Sequence, residues 1–401
     1  MGPQDLPALL AGNAEVTPAD ELDTKLALGR PLRVKLGLDP TASLVTLGWA
    51  VQLRKLRQFQ DLGHQAVLIV GDFTARVGDP SGRTETRPRQ SKEEVRAHAD
   101  ALLEQFWIVL DRERTEVRYN AEWLEPMDME AILGLTSSYT VARMLERDDF
   151  AKRYQQGKPI SIMEFLYPLF QGKDSVAVRA DVELGGRDQT FNLLVGRDLQ
   201  RDEGQDPQVA LTMPLLVGTD GVQKMSQSVG NYIGITEPSG DMFGKLARVP
   251  DELIGEYRLL ALDFFGDPSE AERVSKGLED GTLDPWQEKR RLAREVVDLY
   301  HGEGTGAAAE AEFDRVHKDG ELPEEVSEQE IPADLVVAGT VYVPKLLAVL
   351  GLAESSSRAR GLIEQGGVRV DGERLDGLDV PVERLRGGVL QVGKRRFVKL
   401  G

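Results

Sequence analysis

Over the first 240 residues, short continuous apolar runs alternate with segments whose apolar positions recur every three or four residues. Residues 31–38 predict a strand, residues 48–62 a helix and residues 65–70 a second β-rich run, which together make a βαβ unit. Strands that are apolar throughout belong in a parallel sheet covered on both faces, and such sheets collect ligands at the carboxyl ends of their strands. The loops after Leu38 and Val70 are therefore where a site is expected. Residues 91–111 and 121–156 predict helices, residues 175–184 another buried strand and residues 192–200 a further helix, so the α/β pattern runs to about residue 235. Residues 242–313 are charged and helix-rich, broken at Gly302 to Gly306. An acidic stretch with two prolines, residues 320–334, has the composition of an extended linker. The division expected is an α/β domain at 1–235, a helical domain at 236–320, a linker at 321–338 and a small domain at 339–401.

Composition narrows this picture little, because 41% hydrophobic and 29% charged residues are ordinary for a globular chain, and no run is long enough to span a bilayer. The first residues lack a basic or apolar signal region, which gives the expectation of a cytoplasmic protein with no membrane association. There is no cysteine, and His64, His98, His301 and His317 have no metal-ligand spacing, so no bound metal is expected. Charge is more informative. The net charge is -18, yet residues 341–401 hold eleven Lys and Arg against seven Asp and Glu, a balance of +4 that leaves -22 for the rest. A basic tail on an acidic body is the asymmetry of an enzyme carrying a nucleic-acid-binding module.

The loop after Val70 reads Gly71-Asp72-Phe73-Thr74-Ala75-Arg76-Val77-Gly78-Asp79-Pro80-Ser81-Gly82, with three glycines that let backbone approach a ligand and Asp79 as an acceptor. This loop, Lys35-Leu36-Gly37-Leu38-Asp39-Pro40-Thr41-Ala42 before it and the run 53–60 resemble the first catalytic half of the bacterial tyrosyl-tRNA synthetases. So do Tyr167-Pro168, Gln171 and Asp174, then Gly185-Gly186 with Asp188-Gln189, then Pro214 to Gly218 and Lys224-Met225-Ser226, all in the same order. The resemblance implies a Rossmann-type class I catalytic domain, a helical anticodon-binding domain and a homodimer. It also implies use of tyrosine, of ATP with Mg2+ as a substrate complex, and of tRNA(Tyr), with no tightly bound metal or organic cofactor.

Carried over residue by residue, the resemblance places Tyr167, Gln171 and Gln189 around the amino group of the substrate and makes Asp174 the acceptor of the phenol hydrogen. Asp39, Thr41 and Asp79 lie near the amino acid and the nucleotide, and Gly37, Gly48, Lys224, Met225 and Ser226 line the ATP site. Taken alone, Tyr167 would read as core packing, and Gln171 and Asp174 as a solvated helix face.

The sequence departs from the family where ATP is handled. The His-Ile/Leu-Gly-His signature is replaced by Thr46-Leu47-Gly48-Trp49, which trades two imidazole donors for a short hydroxyl and one indole N–H on a ring bulky enough to fill nucleotide space. Lys-Met-Ser-Lys-Ser is replaced by Lys224-Met225-Ser226-Gln227-Ser228, an uncharged amide for one lysine. Thr46, Gly48, Trp49, Lys224 and Gln227 are thus the candidate catalytic group. Lys173 and Arg187 bring two cations into the amino-acid motifs; with Arg76 they either face the surface, where they are innocuous, or join Lys35 in a subsite for an anionic group. An alternative reading follows from these departures: a paralogue that has lost or changed adenylation and binds RNA or another ligand, or acts on a more acidic substrate. The last 60 residues resemble an S4 RNA-binding module, which implies that Lys345, Arg358, Arg360, Arg369, Lys394, Arg395 and Arg396 face RNA phosphates.

Overall fold

A computed structural model describes residues 2–79, 91–262, 269–316, 328–332, 335–337, 339–353, 355–393 and 396–401. The chain divides into two compact units, 1–306 and 307–401. The first is built on a six-stranded sheet of β1 (Glu15–Thr17), β2 (Arg33–Leu38), β3 (Gln65–Val70), β4 (Thr115–Tyr119), β5 (Val182–Gly186) and β6 (Val209–Met213). Its spatial order is β1-β6-β5-β2-β3-β4, with β1 antiparallel and the remainder parallel. The chain winds outward from β2 through β3 to β4, then returns to the other side of β2 with β5. The order therefore reverses between β2 and β5, and the carboxyl ends of these two strands form the crevice where a ligand is expected.

The expected βαβ unit is present. Between β2 and β3 runs helix α1 (Leu47–Asp61). Ala66 to Val70 are all fully buried, which explains an uninterrupted apolar strand. Helix α2 (Lys92–Phe106) follows, opened by a capping box between Ser91 and Glu94. Two expectations are corrected. Residues 121–156 form four short helices (Ala121–Leu124, Met129–Ser137, Val141–Met144 and Asp148–Gln155) because Asp128 and Thr140 each cap a new start with their side chains. Residues 175–178 belong to helix α3 (Ile162–Val178), not to a strand, and the helix stops at Arg179, which takes the left-handed conformation with φ 50°.

Helix α3 packs along α4 (Thr190–Asp202). Gly172 makes this close: a Cβ there would sit 2.7 Å from Leu199 Cδ1 and 3.3 Å from Gly196 Cα. Helices Ser239–Leu246, Ile254–Ala261, Ser269–Glu279 and Pro285–His301 complete the first unit, and Arg54 of α1 holds the second of them through the carbonyls of Ala261 and Leu262.

The second unit has its own apolar core, which includes Leu346, Leu347, Ala359, Val368, Leu375 and Leu390. Helices Val343–Val349 and Ser356–Glu364 pack together beside a five-stranded sheet in the order Glu373–Arg374, Val368–Val370, Val389–Val392, Arg396–Leu400, Glu328–Gln329. Most of the expected linker lies outside the described residues.

Candidate active site

Helix α3 supplies one wall of the crevice. Tyr167, Gln171 and Asp174 are spaced i, i+4 and i+7, which at 100° per residue puts them on one face, and that face looks toward the carboxyl ends of β2 and β5. Tyr167 donates its phenolic hydrogen to Asp39 Oδ2 at 2.8 Å, and Thr74 donates to Asp39 Oδ1 at 2.6 Å. Both bonds depend on Gly71, since a Cβ there would overlap Asp39 Oδ1 and Thr74 Oγ1. Burial, together with the charges of Asp39 and Asp79, holds the Tyr167 hydroxyl protonated far above the ordinary range of tyrosine.

Deeper in the crevice, Asp174 is 3% exposed and accepts from Trp123 Nε1 at 2.8 Å and Asn120 Nδ2 at 3.3 Å. Burial pushes its carboxyl up to about 7, against the pull of Lys35 and of these two donors. Asn120 and Trp123 were not singled out in the sequence, although the turn Asn120-Ala121-Glu122-Trp123 directly follows β4 and so lies at the sheet's ligand-binding end.

The amide groups form a connected set. Asn192 Nδ2 donates to Gln171 Oε1 and Gln189 Oε1, both at 3.0 Å, while Gln171 Nε2 donates to Glu183 at 3.1 Å and Gln189 Nε2 to Asp79 Oδ2 at 3.0 Å. Thr41 enters the crevice wall through its backbone N–H, which bonds Asp39 O at 2.8 Å. Pro80 to Gly82 lie outside the described residues.

The side where the sequence resemblance places ATP is built from the start of α1 and the loop 224–228. Thr46 is the N-cap of α1: its hydroxyl accepts from Trp49 N at 3.3 Å, so its oxygen is engaged in holding the helix. Trp49 is half-buried in the first turn. A helix start offers backbone N–H groups to phosphate, but here Leu47 N donates to Ile233 O at 2.8 Å and Gly48 N to Met225 Sδ at 3.3 Å. Met225 lies over Gly48, so a base approaching that glycine would displace the thioether, a weak acceptor. Lys224 pairs with Asp188 at 2.6 Å, Ser226 with Ser228 at 2.8 Å, and Gln227 donates to Leu44 O. Gly37 lies within β2, in register with Ile69.

The expected cationic subsite is not formed. Lys173 is one residue from Asp174 and hence about 100° round the helix, where it pairs with Glu203 at 2.8 Å. Arg187 points to Glu15 at 2.8 Å and Asn13 O at 3.1 Å, and Arg76 to Glu125 at 2.7 Å. Lys35 is fully buried, bonded to Glu183 at 2.9 Å, Ser175 Oγ at 2.7 Å and Gln171 O at 3.0 Å. Each cation is paired with a carboxylate, Arg76 sharing Glu125 with Lys92, which removes the basis for a more acidic substrate.

Comparison with known proteins decides the family. The model of class I tRNA synthetases for Trp and Tyr matches residues 27–318, and the S4 domain model matches residues 343–384. The tyrosine–tRNA ligase of Moorella thermoacetica is 50% identical over 99% of this chain and 95% of its own, and that of Thermotoga maritima 48% identical over 100% and 98%. The chain belongs to the tyrosine–tRNA ligase family. A solved tyrosyl-tRNA synthetase from Archaeoglobus fulgidus, complexed with L-tyrosine, superposes with a TM-score of 0.62 over 77% of this chain and 99% of its own at 22% identity, which is likeness of fold.

Membership in the tyrosine–tRNA ligases accounts for the class I α/β sheet and the C-terminal S4 domain together. In that S4 domain Lys345, Arg358, Arg360 and Arg369 are exposed, with Arg360 paired to Glu364 at 3.0 Å. Lys394 and Arg395 lie outside the described residues, as does the side chain of Arg396. Among the described residues, no helix is long and apolar enough to cross a membrane, and no group of His, Cys, Asp and Glu side chains is arranged to hold a metal.

Proposed function

We propose that this chain activates tyrosine with ATP and passes the tyrosyl group to tRNA(Tyr). The observation that carries the reading is Asp174: a buried carboxylate fixed by two N–H donors at the bottom of the crevice, on the helix face that also bears Tyr167 and Gln171. A phenol reaching Asp174 adds a third donor to a buried acceptor already held by Trp123 and Asn120, a hydrogen bond that phenylalanine cannot make. Tyr167, Gln171, Gln189 and Asp79 take the ammonium group. The tyrosine carboxylate then attacks the α-phosphorus of ATP and pyrophosphate leaves. A terminal ribose hydroxyl of tRNA next attacks the resulting acyl phosphate, and AMP leaves.

ATP enters with Mg2+ on its phosphates. Its phosphates meet the first turn of α1 at Thr46, Gly48 and Trp49, while Lys224, Met225, Ser226 and Gln227 close over it and Gly37 and Thr41 border it. Functionally the chain divides at 1–235, 236–320, 321–338 and 339–401, with the second part reading the anticodon and the last, through its exposed Lys345, Arg358, Arg360 and Arg369 and through 394–396, holding RNA phosphates. A homodimer is supported by exposed Met129, Leu133, Val141, Tyr154 and Ile162, all more than 60% accessible in the single chain. The protein acts in the cytoplasm.

Calorimetry with tyrosine and phenylalanine, and pyrophosphate exchange dependent on each, test the reading. Tyrosine is expected to bind and to support exchange, with phenylalanine at least 100-fold weaker, since phenylalanine forgoes the hydrogen bond to the buried Asp174. A chain that binds neither and supports no exchange would overturn it.

A pH dependence follows from Asp174. Because burial raises its carboxyl to about 7, the folded state holds a proton that the unfolded chain has already released above the ordinary carboxylate range. The free protein therefore loses stability as pH rises from about 4 to about 7. Tyrosine affinity runs the other way, improving through about pH 7 as the carboxylate becomes available to the phenol. Titrating tyrosine by calorimetry between pH 5.5 and 8.5 reads the second effect, and Asp174→Asn is expected to flatten it.

A further inference from the structure

The amide network has a far end that none of the assigned residues explains. Arg147, 5% exposed, precedes the Asp148–Gln155 helix, donates from one guanidinium nitrogen to Asn192 Oδ1 at 3.0 Å and from another to Asp79 Oδ1 at 3.5 Å, and pairs with Asp149 at 2.7 Å. Its guanidinium also lies over the ring of Phe150, 5.2 Å from the centroid. These contacts fix a residue that carries donors only.

We propose that Arg147, acting through Asn192, is a positioning residue that sets the polarity of the ammonium site, an inference that rests on the tyrosine-binding reading above. An asparagine amide can face either way, but beside a guanidinium its oxygen must face the guanidinium. The Asn192 NH2 group is thereby turned to the other side, where its two hydrogens reach Gln171 Oε1 and Gln189 Oε1. Each glutamine in turn directs its own NH2 away, to Glu183 and to Asp79. At the edge of the same site Tyr167 gives its hydrogen to Asp39, so its oxygen is left as an acceptor. An ammonium group brings only donors and needs acceptors around it. Reversal of either glutamine would set an NH2 against it, and the relay from Arg147 excludes that reversal.

The direction of the effect separates positioning from simple charge. Removing a cation near the site would strengthen ammonium binding by Coulomb's law, whereas loss of the relay weakens it. The test is calorimetric affinity for tyrosine and for 3-(4-hydroxyphenyl)propanoate, the same acid without the ammonium, on the full chain. Arg147→Met is expected to weaken tyrosine about 10- to 100-fold while changing the propanoate by less than about twofold, and Arg147→Lys, which keeps donors, is expected to recover part of the loss. Asn192→Leu leaves the charges in place and carries the same expectation, which keeps the test open where Arg147→Met does not fold. Equal losses for the two ligands, or unchanged or tighter tyrosine binding, would overturn the proposal. If the unaltered chain binds neither ligand, the tyrosine reading itself fails.

Discussion

Thr46→His, Trp49→His and Gln227→Lys introduced together are expected to raise tyrosine-dependent ATP–pyrophosphate exchange by about 100-fold or more, with tyrosine affinity within about twofold of the unaltered chain. On the proposed function, each replaced group stands where negative charge develops as the α-phosphorus becomes five-coordinate. One preorganised donor at such a place is worth about 3 to 4 kcal/mol, although groups that act as a unit do not add. In this chain the Thr46 hydroxyl caps α1 and the Gln227 amide is bonded to Leu44 O, so neither brings charge to the phosphates. The amino-acid side, from Asp174 to Gln189, is untouched by the three changes, which is why affinity for tyrosine should hold. Loss of the Thr46 cap costs about 1 kcal/mol and lowers Tm slightly without unfolding the protein. Steady-state exchange with saturating tyrosine checks the rate, and an unchanged rate would show that the phosphates are neutralised by other groups.

Lys35→Met is expected to cost about 3 to 5 kcal/mol of stability, a fall in Tm on the order of 10 °C. Lys35 and Glu183 are register partners on β2 and β5, 0% and 1% exposed at their side chains and 2.9 Å apart. Removing the lysine strands a carboxylate in the middle of a sheet covered on both faces. Glu183 also accepts from Gln171, Ser175 and Gln208, so the loss should reach the ammonium site as weaker tyrosine binding. Lys35→Met with Glu183→Gln removes both charges and is expected to recover most of the stability, because a neutral pair of similar volume needs no counter-charge. Thermal melts of the single and double variants provide the check.

The layered α/β plan was legible because its signals are local: an apolar run bounded by turns for β3, and a three-to-four spacing for α1. The limits of α3 were not. Residues 175–184 read as one buried strand, and the residue that ends the helix is Arg179 in a left-handed conformation, where glycine would have been the usual sign. The side-chain caps at Asp128 and Thr140 divide 121–156, but capping residues are common enough in turns that they carry little weight alone.

The site was legible in part, for a related reason. Tyr167, Gln171 and Asp174 share a helix face by spacing, and the same 100° step that groups them also turns Lys173 away, so its exclusion was implicit in the sequence. Arg187, Arg76 and Lys35 could not be excluded in this way, since their partners Glu15, Glu125 and Glu183 come from other elements. Nor could Arg147 and Asn192 be joined: 45 residues separate them, and only the packing of α4 against the loop before Asp148 brings a guanidinium to an amide.

On the proposed function, the tyrosine-reading side of the crevice is complete, while the phosphate side has fewer charged donors than the His-Ile/Leu-Gly-His and Lys-Met-Ser-Lys-Ser signatures would supply. Charging a tRNA(Tyr) transcript from two starting points, tyrosine with ATP and preformed tyrosyl-adenylate, separates the two sides. Tyrosyl-tRNA is expected from both, about 100-fold faster from the adenylate because that route bypasses the attack on ATP. Equal rates from the two would contradict the reading of the phosphate side, and no tyrosyl-tRNA from either would contradict the account as a whole.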